Sequence, residues 1–322
     1  MIAGKSRRQR TEDRRQKSVT VTGWFLFSAL CLLSSVSYRE DYEIHLPDLR
    51  AAANFCCTSG QHGIVWPVMV GEFYFLGEEE RLRGLDAVLE EVNGRLPVVF
   101  GCSGVSLPQV LFFARAAQKA GADSIIAMAP ARSNAAVAIE MFKRMADAYD
   151  GPIMLQNAAA YAPLTAEQIA KLVEDVPSIE YIKEERPPGP KHIAEVHNLL
   201  GDKVKTIFGG FAGRFLPDEL RRGANGCMPA CEIADLLAKV MEQWWAGDEA
   251  GARALHTRLL PLINLETHPF MRYILKRRGV FTSLVERAPA GALELDAEDK
   301  REISILIDAI NDEVEFYPFG AE

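Results

Sequence analysis

The sequence predicts an α/β protein: a closed (β/α)8 barrel, that is, a TIM barrel, with a C-terminal helical extension. Two observations predict this fold. From Asp48 onward, short β-rich runs alternate with amphipathic helical patterns, and the runs are apolar throughout. Alternating strands and helices form parallel sheets, and strands without a polar face are buried on both sides. Seven evenly spaced runs suggest a barrel, which needs an eighth strand.

The β-rich runs consist of branched and apolar residues bounded by turn residues. They are residues 63–70, 96–102, 123–130, 152–158, 179–185, 204–211 and 225–231. The candidate for the eighth strand is the apolar run from Phe25 to Leu33. We therefore expect a polar, basic tail at residues 1–17 and a barrel over residues 18–231 that begins with this run.

Helical periodicity fills the segments between the runs. Residues 78–92, 106–121 and 165–176 each place apolar residues on one face. Thr165 with Gln168 fits a capping box, and Gly121 and Gly201 occur where helices are expected to end. After residue 231 the pattern is entirely helical. Residues 232–322 are therefore expected to form an extension that packs on the barrel.

The N-terminal region allows a second interpretation. The basic stretch "KSRRQRTEDRRQK" precedes the apolar stretch "GWFLFSALCLLSS", a combination that resembles a signal peptide or an anchor. Its densest apolar part, Trp24 to Leu33, is short for a membrane span. We expect a strand here, because cleavage would leave the barrel open. We therefore expect the protein to be cytoplasmic and to have no membrane partner. Export or membrane anchoring is the alternative.

Composition excludes two classes of function. Lys and Arg number 36 against 44 Asp and Glu, which gives a formal net charge of −8. This acidic balance argues against nucleic acid as the main partner. The six cysteines form no C-x-x-C pair and have no histidine at ligand spacing. We expect reduced thiols and no metal site.

The run "IEYIKEE" ends in a lysine and two carboxylates, at the end of a strand where barrels carry their catalytic residues. Alternation sends Lys183 and Glu185 to one face and Glu184 to the other. If Tyr181 points to the barrel axis, so do Lys183 and Glu185. A charged lysine is costly to bury, and a neutral, desolvated amine forms Schiff bases with carbonyls. The alternative is a surface lysine paired with a glutamate.

From about Tyr38 to the C-terminus, the chain resembles the dihydrodipicolinate synthase/N-acetylneuraminate lyase family of class I aldolase-type (β/α)8 enzymes. The resemblance rests on "GIVWPVMVGEFYFLGEEERLRGL", "KAGADSIIAMAP", "GPIMLQN", "IEYIKE" and "GDEAGARALHTRLLPLINL", which follow in the family's order. It implies that Lys183 is the Schiff-base lysine and that the substrate is a small 2-keto acid. It also implies a homotetramer built from dimers. No cofactor is expected, because the iminium serves as the electron sink.

Three positions depart from the family pattern. The family's catalytic tyrosine falls on Gln156, which has no titratable proton. Its threonine pair, which binds the substrate carboxylate, falls on Met69 and Val70, and the tyrosine lent across the dimer falls near residues 131–132. These departures argue against a housekeeping dihydrodipicolinate synthase. Tyr161, five residues after Gln156, is a further catalytic candidate, with packing as its alternative.

Glu185 is the candidate to replace the missing tyrosine. A Lys-x-Glu pair on one strand face resembles the subgroup that dehydrates 2-keto-3-deoxy sugar acids, in which Gln-Asn or Gln-Asp also follows the fifth strand. A Schiff base at C2 makes the C3 hydrogens acidic, and a carboxyl group can act as base at C3 and as acid at the C4 hydroxyl. The alternative for Glu185 is an ion pair with Arg186 or Arg214.

The other candidates for substrate contact lie after several strands. They are Met69, Val70, Gly71, Glu72, Ser103, Asn157, Gly209 and Gly210. Backbone N–H groups of the turn at residues 69–72 can hold a carboxylate, a serine can hydrogen-bond a hydroxyl, and glycines allow close approach to the backbone.

The expected function is a lyase that dehydrates a 2-keto-3-deoxy sugar acid through a Lys183 iminium. The alternatives are a class I aldolase that releases pyruvate or a dihydrodipicolinate synthase-like condensation. A barrel that binds a keto acid or sugar acid without turnover is the alternative from another class. A pure binder has no need of a desolvated lysine, so Lys183 distinguishes these readings.

Overall fold

A computed structural model describes residues 30–32, 36–159, 161–265, 267–287 and 294–320. Its centre is one parallel sheet of eight strands in chain order. The strands are β1 Leu30–Leu32, β2 Gly63–Trp66, β3 Val98–Gly101, β4 Ser124–Ala127, β5 Ile153–Ala158, β6 Ile179–Glu185, β7 Thr206–Gly209 and β8 Gly226–Cys227. Each of the seven predicted runs contains one of these strands.

The first strand is also where the sequence predicts it. Leu30–Leu32 pairs in parallel with Gly63–Val65 of β2. The remainder of the predicted strand before residue 30, and the predicted tail at residues 1–17, lie outside the described residues. Pairing among the described strands runs from β1 to β8 without a recorded β8–β1 pair, so closure of the barrel stays a prediction.

Helices follow the strands and cover the sheet. They are α1 Leu46–Thr58, α2 Glu78–Val92, α3 Leu107–Ala120, α4 Ala135–Ala148, α5 Ala166–Asp175, α6 Gly189–Leu200, α7 Leu216–Arg221, α8 Ala234–Trp245, α9 Glu249–Asn264, α10 His268–Arg277 and α11 Ala297–Asp308. Thr165 and Gln168 form the predicted capping box of α5. Gly121 ends α3 in the left-handed conformation that glycine adopts without strain.

Two apolar layers surround the sheet. The inner layer is a buried cluster to which β2 through β7 and the residue after β8 contribute. Its members are Val65, Val68, Val99, Ile126, Met154, Tyr181, Phe208 and Met228. The outer layer packs the opposite strand faces against the helices. This division is the one a filled barrel requires, and it places Tyr181 on the inner side.

A β-bulge decides which face of β6 is inward. Ile179 belongs to the outer layer, whereas Tyr181, two residues later, belongs to the inner one. Strict alternation would give both residues the same face. The register of β5 and β6 shifts between Ile153 and Met154, so that Met154 pairs with Tyr181. Such an extra residue turns the rest of the strand over, and Lys183 and Glu185 follow Tyr181 inward.

The helices after β8 form the C-terminal extension that the sequence predicts. Apolar side chains of α8 to α11 share a second core with α7. A buried ion pair joins Arg278, at the end of α10, to Asp235 of α8. None of the described helices has the length and hydropathy needed to cross a membrane.

Candidate active site

Lys183 lies buried near the C-terminal end of β6. Its Nζ atom is 2.9 Å from Oε1 of Glu185, and the two side chains are 4% and 15% exposed. The strand places both residues on the inner face, because they are two positions apart beyond the bulge. The alternative of a surface lysine is excluded, and Glu185 pairs with Lys183 rather than with Arg186 or Arg214.

Gln156 of β5 completes the group. It pairs with Lys183 in the sheet register, and its Nε2 atom donates a hydrogen bond of 2.6 Å to Oε2 of Glu185. Each carboxylate oxygen of Glu185 thus has one partner. The amide of Gln156 thus holds the carboxylate of Glu185 from the neighbouring strand.

The backbone of Gly210 packs directly against the side chain of Glu185. A Cβ atom at this position would lie 2.3 Å from Cγ of Glu185 and 2.3 Å from its Oε1. A glycine is needed because the backbone after β7 approaches the carboxylate more closely than a side chain allows. Gly210, predicted to contact substrate, therefore lies directly against the catalytic candidates.

Tyr161 lies among apolar side chains rather than in the hydrogen-bonded group. It packs, half-buried, against a cluster of Phe73, Met128 and Ala158, which Met69 also contacts. No hydrogen bond is recorded between Tyr161 and Lys183 or Glu185 among the described residues. This placement agrees with the packing interpretation of Tyr161.

The turn after β2 has the predicted position, but its carboxylate, that of Glu72, has a structural contact instead of the predicted contact with substrate. Met69–Gly71 forms a short 3-10 helix, and Glu72 follows with a φ of 51°. The Glu72 side chain is buried and accepts a hydrogen bond from Arg272 of α10. Burial raises the pKa of Glu72, and Arg272 opposes that rise. Glu72 thus anchors the turn to the extension, and the backbone of Met69 to Gly71 remains as the candidate carboxylate site.

Ser103 and Asn157 are occupied by structural contacts. The Ser103 hydroxyl accepts a 3.0 Å hydrogen bond from the backbone N–H of Met128. Asn157 donates to Glu184 at 2.8 Å and exchanges two hydrogen bonds with the backbone of Leu164. The structure does not bring Asn157 to Lys183, because alternation turns it and Glu184 away from the inner face.

One buried carboxyl group beside the site is absent from the sequence-based candidates. Glu219 of α7 has no exposed surface, and its carboxylate lies against Gly209 at the end of β7. A signal was available in the sequence. Leu216, Glu219 and Leu220 follow the i, i+3, i+4 spacing of a buried helix face, which puts an acidic residue in an apolar row.

Known proteins with similar sequences belong to one family. The model of the dihydrodipicolinate synthetase family matches residues 27–309. An L-2-keto-3-deoxyarabonate dehydratase of Azospirillum brasilense is 27% identical over 270 residues, which cover 81% of this chain and 87% of the relative. A 4-hydroxy-tetrahydrodipicolinate synthase of Pelobacter propionicus is 28% identical over 249 residues, 74% of this chain and 84% of the relative.

Solved structures show the same fold. The dihydrodipicolinate synthase of Rhodopseudomonas palustris superposes with a TM-score of 0.81 at 24% identity, over 89% of this chain and 99% of its own. YagE of E. coli K12, solved in complex with pyruvate, has a TM-score of 0.79 at 25% identity and covers 88% of this chain and 98% of its own. The TIM-barrel-like α/β fold predicted from the sequence is confirmed at this level.

Proposed function

The chain belongs to the dihydrodipicolinate synthetase family, and we propose that it is a Schiff-base lyase that dehydrates a 2-keto-3-deoxy sugar acid. The observation that carries the proposal is the buried group of Lys183, Glu185 and Gln156. Lys183 and Glu185 are 2.9 Å apart, so an amine and a proton acceptor stand side by side. The likeness to a 2-keto-3-deoxyarabonate dehydratase supports the same reaction class.

Lys183 supplies the nucleophile. Transfer of a proton from its ammonium to Glu185 leaves an amine whose lone pair attacks the C2 carbonyl of the keto acid. The carbinolamine loses its hydroxyl as water with the proton that Glu185 took from the ammonium. An iminium forms, and Glu185 is again a carboxylate. The iminium accepts the electron pair that later steps release, which is the role that a metal has in other lyases.

Glu185 carries the proton transfers that follow. Its carboxylate removes a proton from C3, and the C–H electron pair forms the enamine. The nitrogen lone pair then returns, a C3–C4 double bond forms, and the C4–O bond breaks. The hydroxyl leaves as water with the proton that Glu185 holds, so the carboxylate is regenerated. Addition of water to the C2 iminium then breaks the C–N bond, releases the unsaturated keto acid and returns Lys183 as its ammonium.

Gln156 favours dehydration over carbon–carbon cleavage. Cleavage needs a base at the C4 hydroxyl, which the resemblance assigns to the family's tyrosine, and an amide cannot accept that proton. Gln156 instead donates to Glu185 at 2.6 Å and holds it in place. The likeness to 4-hydroxy-tetrahydrodipicolinate synthases makes aldol chemistry, as cleavage or condensation, the second candidate.

The ends of two other strands offer contacts for the remainder of the substrate. Backbone N–H groups of Met69, Val70 and Gly71 can receive the C1 carboxylate at a turn without hydroxyl side chains. The glycines at positions 209 and 210 leave the backbone after β7 open to close approach. Chain length and stereochemistry of the substrate would be set around these two segments.

Borohydride trapping tests the first step. The protein is incubated with pyruvate and a panel of 2-keto acids, reduced, digested and examined by mass spectrometry. We expect a reduced adduct on the peptide that contains Lys183, and none in Lys183→Met. Lys205, an exposed lysine paired with Glu180 at 2.6 Å, is the internal control. An unmodified Lys183 in an active preparation contradicts the proposal.

Product analysis separates the two candidate reactions. With 2-keto-3-deoxy acids as substrates, dehydration yields a product that has lost one water molecule and has kept its carbon chain. No pyruvate is released. Cleavage yields pyruvate and an aldehyde, and the pyruvate is detected with lactate dehydrogenase and NADH. Pyruvate as the product favours the aldolase. The absence of any trapped adduct or turnover across the panel favours a barrel that only binds the acid.

A further inference from the structure

Glu219 is a buried carboxyl group that has no hydrogen-bond partner in the described part of the chain. It is 0% exposed, and neither Oε1 nor Oε2 has a partner among the described residues. Buried polar groups are nearly always paired, and each exception calls for an explanation. The proposed reaction gives Glu219 no role, although it lies next to the residues that carry the chemistry.

At the end of β7, two consecutive glycines each lie in close contact with a carboxyl group. A Cβ atom at Gly209 would lie 1.9 Å from Oε2 of Glu219, and one at Gly210 would lie 2.3 Å from Cγ of Glu185. Successive residues of an extended chain point to opposite sides. Glu219 therefore sits directly behind the strand end whose inner side holds Glu185.

Two negative charges near Glu219 raise its pKa. Glu185 acts on it from β6, and Asp218 acts on it from its own helix. The other elements packed against it, α6 and β7, present the glycines Gly189 and Gly209. Burial raises the pKa of Glu219 to about 8, and the charges of Glu185 and Asp218 add to this rise. Two carboxyl groups that share a site do not both ionise readily.

We propose that Glu219 is a positioning residue of this site: a carboxylic acid that keeps its proton at neutral pH and so keeps a second negative charge away from Glu185. Its effect on turnover rests on the proposed function. When Glu219 ionises, the added charge makes Glu185 hold the proton from C3 more tightly. The step in which Glu185 returns that proton to the leaving hydroxyl then slows.

Stability against pH tests the buried proton without any substrate. The folded-state pKa of about 8 lies above the ordinary value of 4.5. Between these values the unfolded chain has lost the proton that the folded protein must keep, so this group lowers stability as pH rises. Glu219→Gln removes that requirement. We expect its melting temperature to rise relative to that of the wild type from pH 4.5 upward, and this difference to level off above pH 8.

Asp218→Asn is the matched control. It replaces a carboxyl group of the same helix by an amide, but Asp218 is half-buried and pairs with Arg222 at 3.0 Å. Its melting temperature should show no such widening. A difference between the two melting temperatures that does not grow across this range overturns the proposal, because Glu219 would then be ionised in the folded protein.

Turnover provides the second readout. The kcat of the wild type should fall as pH rises through about 8, and Glu219→Gln should shift that alkaline limb to higher pH. Asp218→Asn removes a charge that raises the pKa of Glu219, so it should move the limb slightly in the opposite direction. An unshifted limb overturns the role in turnover. Borohydride trapping on Lys183 is run alongside. Failure of trapping contradicts the proposed function. The melting temperatures test independently whether Glu219 is protonated in the folded protein.

Infrared spectroscopy of the wild type covers the case in which Glu219→Gln does not fold. A buried carboxylic acid that loses its proton near pH 8 gives a C=O band that bleaches as pH is raised through this value. The absence of such a band overturns the proposal.

Discussion

Gly210→Ala tests whether the position of Glu185 controls the reaction. The added methyl group would lie 2.3 Å from Cγ of Glu185. Carbon atoms in contact rest about 3.5 Å apart, so the carboxyl group must retreat by about 1.2 Å. The backbone of Gly210 has a φ of −131° and a ψ of −142°, outside the left-handed region that disfavours alanine. The main perturbation is therefore the contact with Glu185.

A retreat of this size disturbs both contacts of the carboxylate. Glu185 accepts from Gln156 at 2.6 Å and pairs with Lys183 at 2.9 Å, and a displaced carboxylate cannot keep both distances. Misplacement of a catalytic group by about 1 Å costs on the order of 10²-fold in rate, or about 2.7 kcal/mol of barrier. Overpacking adds about 1–3 kcal/mol of lost stability.

The assay is the kcat of dehydration, together with borohydride trapping by pyruvate. We expect kcat to fall about 10²-fold while Lys183 still forms the adduct, because the lysine itself is not displaced. Gly77→Ala is the matched control, since its Cβ atom would meet Oε2 of Glu80 at an ordinary 3.5 Å. Wild-type turnover in Gly210→Ala would refute the assignment of Glu185.

Three further predictions concern the site and its support. Glu185→Gln should lower kcat by about 10²–10⁴-fold with trapping intact, and near-normal turnover would count against it. Asp235→Ala leaves Arg278 buried without its ion pair, so urea denaturation should show a loss of about 3–5 kcal/mol. Deletion of residues 1–17 should leave the melting temperature unchanged, whereas deletion through Ser37 removes β1 and should lower it. Equal melting temperatures would mean that the first-strand assignment is wrong.

Local sequence patterns determined the order of elements. A strand needs a few branched residues and a helix needs a spaced apolar face, and both properties lie within short windows. The run at 179–185 and the helix at 78–92 therefore coincide with the observed β6 and α2. The capping box at Thr165 is equally local. Lys183 and Glu185 could be assigned to one face because they are only two residues apart.

Register and long-range packing were decided by the tertiary structure. Alternation counted from Ile179 would turn Lys183 outward, and the bulge that corrects it exists only in the pairing of β6 with β5. That same pairing sets Gln156 opposite Lys183. A bulge depends on how two distant segments fit, so no single window of sequence contains it.

The buried carboxylates show the same division. Glu72 follows a turn that the sequence marks as substrate-binding, but Arg272, 200 residues away in the chain, takes up its charge. Glu219 lies in a short helix whose apolar spacing signals burial, yet only the folded chain sets it behind Gly209 and Glu185. Sequence determines which residues can carry charge into the core. The approach of remote segments determines which of those charges are neutralised and which remain to act on the site.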